Sequence, residues 1–327
     1  MSGRVRTVFL GSGEFAVPVA AALVEHPQVE LAAVVTAPAR PAGRRRTLSP
    51  TPVGRWAADS GLATHTPGRL REPAALATLA DLAPELLVLA DYGQMVPRAL
   101  LELPRHRALN LHPSLLPRHR GASPIAAAIL AGDEETGVTL MAMDEGLDSG
   151  PIIAQRRVEL RGDETAPELE ERLAAVAAGI VAGHLGEWLR GELEAHPQPA
   201  AGMTLTRPLR RADGALDPRR PAAELERQVR AYQPWPGSYL DTDAGRLAVW
   251  RARPAHASGA RGESVGTILS TAEGEPALVT GAGLLELVEV QPAGGRRMGG
   301  AELLRGRPAL VGMRVTMPPA ADTGTEG

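Results

Sequence analysis

Val5-Arg6-Thr7-Val8-Phe9-Leu10-Gly11-Ser12-Gly13-Glu14-Phe15-Ala16 is the stretch on which the fold turns. Residues 5–10 form a mostly apolar run of strand length, stopped by Gly11-Ser12-Gly13. Phe15 to Val24 then carries apolar residues at helical spacing. The alternation continues outward. Leu31–Val35, Leu86–Ala90, Ala108–Leu111 and Val138–Met143 are further continuous apolar runs separated by helical segments. Strands that are apolar on both faces need both faces covered. The pattern therefore predicts a doubly wound, mostly parallel α/β sheet of Rossmann-like type.

The glycines after the first strand fit G-x-G-x-x-A, a variant of the dinucleotide fingerprint. A nicotinamide site also needs a carboxylate about 20 residues on, at the end of the second strand, to hold the ribose hydroxyls. That strand ends Val34-Val35-Thr36-Ala37-Pro38, with no carboxylate. The glycines are read as a tight strand-to-helix turn.

With 327 residues, two domains are expected. There is no cysteine, which excludes disulfides, Cys-based zinc sites and thiol nucleophiles. Residues 1–10 are too short and, with Arg4 and Arg6, too charged for a secretory signal. No apolar run approaches the ~20 residues that span a bilayer. A cytoplasmic protein with no membrane partner is expected. The net charge of −3 favours no partner, but all 35 basic residues are arginine. Any phosphate must be gripped by a guanidinium fork or by backbone N–H groups.

A long helix is signalled from Thr165, where Thr165 and Glu168 have capping-box spacing with Pro167 in the first turn. It should run to about Arg190 and end at Gly191. Composition then changes. His196–Gly202 holds two prolines and several small residues. Beyond Thr204 come short stretches with turn signals, Leu247–Trp250, Val265–Ile268, Ala277–Val279 and Leu284–Val290, and one helical segment, Ala222–Tyr232. This pattern suggests a small β-barrel or sandwich. The expected organisation is a catalytic domain over 1–195, a linker over 196–206, a smaller domain over 207–317 and a disordered tail over 318–327.

The chemistry concentrates in 110–148. Asn110-Leu111-His112 closes a strand, so its two polar side chains share a face. Pro113-Ser114-Leu115-Leu116-Pro117-Arg118-His119-Arg120-Gly121 follows as a stiff loop, and Asp144-Glu145-Gly146-Leu147-Asp148-Ser149-Gly150 is a glycine-flanked acidic loop after another strand. An amide can donate to a developing oxyanion, an imidazole can shuttle a proton, and a carboxylate can orient the imidazole. Together they suit acyl-type transfer.

These motifs make the chain resemble the formyltransferases that use 10-formyltetrahydrofolate, and among them those acting on methionyl-tRNA. The resemblance extends over Val8–Val19, Arg40–Val53, Tyr92-Gly93-Gln94, Arg230–Gly237 and Gln291–Gly294, nearly the whole chain. It implies catalytic roles for Asn110, His112 and Asp148. It implies folate contacts at Ser114, Leu115, Leu116 and Pro117, with Tyr92 and Gly93 beside them. It implies a tRNA-contacting loop over about 37–52, with Arg40, Arg44, Arg45 and Arg46, and an OB-like second domain that helps hold the tRNA. The implied reaction formylates the amino group of methionyl initiator tRNA for translation initiation, with folate as co-substrate, without metal, in a monomer. Some positions depart from the family pattern. Ser12-Gly13 stands for Thr-Pro, Ala39 for an acidic residue, Asp91 for a small apolar residue, His119 for an aromatic, and Pro218 follows Asp217 where Trp is frequent.

Other readings remain at this point. A formyltransferase acting on an amino-sugar nucleotide has a related second domain. The Arg40–Pro52 insert argues against glycinamide ribonucleotide as acceptor. A hydrolase of formyltetrahydrofolate is a third option. A nucleotide-binding module without catalysis leaves Asn110, His112 and Asp148 unexplained.

Overall fold

The computed structural model describes residues 3–42, 47–255 and 262–319. Two compact units divide the chain, one of residues 1–128, 133–161 and 168–208, the other of residues 129–132, 162–167 and 209–327.

In chain order the strands up to residue 208 are β1 (Val5–Gly11), β2 (Val29–Val35), β3 (Arg40–Ala42), β4 (Thr47–Ser49), β5 (Thr64–His65), β6 (Leu86–Ala90), β7 (Ala108–His112), β8 (Arg120–Gly121), β9 (Glu135–Ala142), β10 (Ile152–Glu159) and β11 (Leu205–Thr206). The helices are α1 (Ala16–Glu25), α2 (Pro52–Asp59), α3 (Pro73–Asp81), α4 (Arg98–Leu101), α5 (Pro124–Ala131) and α6 (Ala166–Leu189). A 7-stranded sheet runs in the order β10-β9-β7-β6-β1-β2-β5. The five strands from β7 to β5 in that order are parallel. Val8, Leu10, Val35, Leu87 and Leu89 share one core cluster with Leu79 of α3. Phe9, Val34 and Val88, alternating with them, are equally buried. Both faces are therefore covered, as the continuous apolar runs require.

The β9–β10 hairpin departs from the parallel pattern, since β9 is antiparallel to β7 and β10 to β9. β10 carries no sequence signal of a buried strand, because Gln155, Arg156 and Arg157 are exposed. The long helix begins and ends where expected, with Gly191 in the left-handed conformation just beyond it.

The stretch 37–52 carries more structure than a plain loop. Arg40–Ala42 pairs antiparallel with Thr47–Ser49. Arg40 is exposed there, while Arg44, Arg45 and Arg46 lie outside the described residues. α2 follows at once, its N-terminus capped by Thr51 Oγ1, which accepts from Gly54 N at 2.9 Å.

Residues 196–206, read from sequence as a linker, are tied into the first unit. His196 forms a bridge with Ile152, and Leu205–Thr206 pairs parallel with Arg120–Gly121.

The second unit is strand-rich, with α7 (Ala222–Ala231), β12 (Ser238–Thr242), β13 (Gly245–Ala255), β14 (Ile268–Ser270), β15 (Pro276–Val279), β16 (Leu284–Pro292), β17 (Met298–Gly299) and α8 (Gly300–Gly306). Its antiparallel sheet runs β12-β13-β16-β15-β14, with β17 on β16. Leu225 and Val229 of α7 and Leu303 of α8 share a core with Leu240, Val249, Leu278, Leu285 and Leu287.

Candidate active site

β7 supplies the first two polar groups. Leu109 and Leu111 are buried on one face, so Asn110 and His112 project from the other. Asn110 lies opposite Leu89 of β6 and Met141 of β9, and His112 opposite Thr139.

The third group arrives by a less direct route. Because β9 runs against β7, it ends beside the start of β7, where Met143 N donates to Ala108 O at 2.8 Å. The loop 143–150 must then fold back over the face of β7. Asp144 Oδ1 starts the turn by accepting from Gly146 N at 3.0 Å and Ser149 Oγ at 2.8 Å. Gly150 closes it against Ala142 O, which a Cβ there would approach to 1.9 Å. Asp148 adopts φ +48, a conformation few L residues take. Its carboxylate thereby comes under Asn110 and His112. Asn110 Nδ2 donates to Asp148 Oδ1 at 3.3 Å, and His112 Nδ1 lies 3.6 Å from Asp148 Oδ2. Gly121 N donates to Asp148 Oδ2 at 2.8 Å.

The sequence motifs did not reveal the other anchor of His112. Its Nε2 lies 2.9 Å from the carbonyl oxygen of His119. Both ring nitrogens thus face acceptors, a carbonyl and a carboxylate. A neutral imidazole donates from one nitrogen and an imidazolium from both. His119 sits at φ +58 with its ring buried. Its Nε2 is 2.7 Å from Asp133 Oδ2, while Arg118 Nε donates to the same oxygen at 3.0 Å. Burial, partly opposed by Asp133, pushes the His119 pKa down. Gly121 could have been singled out from sequence as the glycine that closes the stiff loop 113–121. The carbonyl of His119 could not.

The segment 114–117 is tied down by hydrogen bonds. Ser114 Oγ donates to Arg118 O, Thr139 Oγ1 to Ser114 O, and Leu116 N to Thr139 Oγ1. Gln155 Nε2 completes the set on Leu116 O and Thr139 Oγ1, both at 2.9 Å. Ser114 and Leu116 are buried with their backbone groups bonded inside the chain, while Leu115 and Pro117 are half-buried, so the second pair is the one open to a ligand. Tyr92 is buried beyond the end of β6. Its hydroxyl has no partner among the described residues, and burial pushes its pKa up to about 12. Gly93 next to it is exposed at φ +77.

The glycine turn after β1 is filled by the chain's own carboxylates. Phe15 N, at the start of α1, donates to Glu170 Oε1 at 3.3 Å. Asp91, although an exposed residue overall, turns its carboxyl inward onto Gly13. Its Oδ2 lies 1.7 Å from where a Cβ of residue 13 would sit. The helix N-terminus that holds pyrophosphate in a dinucleotide-binding fold is occupied here. Burial, reinforced by the charge of Glu170 and opposed by the Gly13 N–H, pushes the Asp91 carboxyl up to about 6.

A formyl transferase family model matches residues 5–182, and a formyl transferase C-terminal domain model matches 208–308. The methionyl-tRNA formyltransferase of Halorhodospira halophila is 45% identical over 94% of this chain and 98% of its own length. That of Myxococcus xanthus is 42% identical over 94% and 97%. Among solved structures, the sugar 3N-formyl transferase WlaRD superposes with TM-score 0.63 at 15% identity, covering 88% of this chain and 98% of its own. HypX from Aquifex aeolicus in complex with tetrahydrofolic acid gives 0.60 at 17%, covering 92% and 47%. At those identities the likeness is one of fold.

The Asp91 carboxyl carries a pH signature. The folded chain keeps its proton to about pH 6, whereas an unfolded aspartate loses it near 4. Between those values the folded state binds more protons, so this group's contribution to stability falls as pH rises. Asp91→Asn should therefore gain stability relative to the wild type from pH 4 to pH 6. Urea midpoints across that range measure the difference. A difference that stays flat would show that the carboxyl titrates as in water.

Proposed function

The chain belongs to the formyl transferase family, and we infer that it transfers the formyl group of 10-formyltetrahydrofolate to the amino group of methionyl initiator tRNA. The chemistry is carried by one observation, the convergence of Asn110, His112 and Asp148 over one face of β7. The acceptor is supported by near-full-length likeness to methionyl-tRNA formyltransferases at 45% and 42% identity.

In this reading the amine attacks the formyl carbon and a tetrahedral intermediate forms. An amide has two N–H donors. One from Asn110 goes to Asp148, and the other serves the oxyanion. His112, fixed at Nε2 by the His119 carbonyl, presents Nδ1 as its second donor to the reacting centre. Asp148 orients that nitrogen and balances its proton. The intermediate collapses with loss of a proton from the attacking nitrogen, and the folate nitrogen leaves with a proton as tetrahydrofolate. The folate is taken to lie against the segment 114–117, touching it through Leu115 and Pro117 while Ser114 and Leu116 hold its shape, and against Tyr92-Gly93. HypX, which shares the fold, was solved with tetrahydrofolic acid.

Arg40, Arg44, Arg45 and Arg46 are assigned to phosphates of the tRNA. Because no lysine is available, guanidinium forks are the side-chain cations for this task. The enzyme is taken to act as a monomer in the cytoplasm. Among the described residues no helix is long and apolar enough to cross a membrane.

The deciding assay offers formyltetrahydrofolate with charged initiator tRNA in one arm and an amino-sugar nucleotide in the other. Formyl-methionyl-tRNA is expected, and preferential formylation of the sugar would reverse the acceptor assignment. In the same assay His112→Ala and Asp148→Asn should each lower turnover by about 100-fold or more, with the fold intact by circular dichroism. Wild-type turnover in either folded variant would remove that residue from the chemistry.

The combined change of Arg44, Arg45 and Arg46 to Ala should lower kcat/KM for tRNA and leave tetrahydrofolate binding unchanged. It should also flatten the salt dependence, since each lost phosphate contact releases fewer counterions. Kinetics across a salt series measure this. If both kcat/KM and slope stay at wild-type values, these arginines play no part in tRNA recognition.

A further inference from the structure

We propose that Gln198 is a positioning residue for the transfer, acting by fixing the backbone of Asp148. The proposal rests on the reaction assigned above.

Gln198 belongs to a segment that reads as a linker, yet its side chain makes four hydrogen bonds inside the first unit. Nε2 donates to Asp148 O and to Gly150 O, both at 2.8 Å. Oε1 accepts from Arg120 Nε at 3.0 Å and from Arg120 Nη2 at 2.6 Å. A primary amide has two donors and two lone pairs, so every capacity is used. Its orientation is determined as well, because two carbonyls demand the nitrogen where Arg120 demands the oxygen. One side chain thereby joins the loop after β7 to the loop after β9.

The junction matters because of where it pulls. Asp148 is held at φ +48, a conformation that an L residue leaves readily when its neighbours allow. Fixing its carbonyl fixes the peptide plane beyond it and so the direction of its carboxylate. That carboxylate meets His112 Nδ1 at 3.6 Å and Gly121 N at 2.8 Å. The same segment grips the partner loop. Thr204 Oγ1 accepts from His119 N at 2.8 Å, and Arg120 N donates to Thr204 O at 2.9 Å. The two anchors of His112, the Asp148 carboxylate and the His119 carbonyl, are thus held by one strap. Gln198 is its contact with the carboxylate side.

The test is a double-mutant cycle. Gln198→Met keeps the side-chain length and removes all four hydrogen bonds. It should lower kcat for formylation of charged initiator tRNA by about 10- to 100-fold, as a misplaced catalytic group does. KM for both substrates should stay within about 3-fold, and the melting temperature near that of the wild type. Made on the Asp148→Asn background, the same change should cost less than about 2-fold, because a group acting through Asp148 has nothing left to orient. Gln198→Glu, which keeps the acceptor for Arg120 and loses the donors to the two carbonyls, should resemble Gln198→Met. Equal losses on both backgrounds, an unaffected kcat, or unfolding of both variants would overturn the proposal. A wild-type enzyme inactive on tRNA would instead overturn the reaction assigned above, so the two failures are distinguishable.

Discussion

The reversed pairing of β9 on β7 governs the site. Five parallel strands leave their loops at one edge of the sheet, where such folds bind ligands. β9 leaves its loop at the other. The loop 143–150 can then reach Asn110 and His112 only by lying back across the face of β7. That requirement accounts for its composition. Gly150 passes against Ala142 O with no room for a Cβ. Asp144 serves as the turn's internal acceptor. Asp148 accepts a left-handed backbone that costs on the order of 1 kcal/mol. Hydrogen bonds from Gly121 and Asn110 offset that cost, so the carboxylate is held in place before any substrate arrives.

The turn after β1 shows one position compensating for another. Gly13 and Asp91 each depart from the family pattern expected for this chain, and in the folded molecule they touch. A side chain at 13 would collide with the Asp91 carboxyl, and a proline there would have no N–H to give it. The two departures are one local solution. It places two carboxylates, Asp91 and Glu170, at the start of a helix that has no side-chain cap of its own. Burial and the charge of Glu170 push the Asp91 carboxyl up to about 6, and the two acidic side chains together close the position to the phosphates of a dinucleotide. The missing acidic residue after β2 and the occupied helix start lead to the same exclusion by independent routes.

What the sequence disclosed follows from which forces act locally. Continuous apolar runs disclosed β1, β2, β6, β7 and β9, because burial on both faces is written residue by residue. Alternation disclosed that Asn110 and His112 share a face. The direction of β9 was not legible, since a buried strand reads alike parallel or antiparallel. β10 was not legible because an edge strand with Gln155, Arg156 and Arg157 exposed carries little apolar signal. The stretch 196–206 misled for a related reason. Its prolines and small residues do describe a chain without internal structure, but its hydrogen bonds go to distant loops, and composition does not record partners.

His119 shows why some departures cost the site nothing. The family pattern has an aromatic there, and a histidine looks like a further catalytic candidate beside His112. The group that meets His112 Nε2 is the main-chain carbonyl of residue 119, presented by a left-handed backbone. A carbonyl is the same in every residue, so the side chain need only hold that backbone in place. An aromatic ring can do so by packing, and this histidine does so through Asp133, itself tied to Arg118. Burial lowers its pKa, which suits a neutral ring in a structural role more than a proton carrier. The two histidines of the loop therefore divide the work by burial and partner. One faces the Asp148 carboxylate over β7, and the other is sealed behind it.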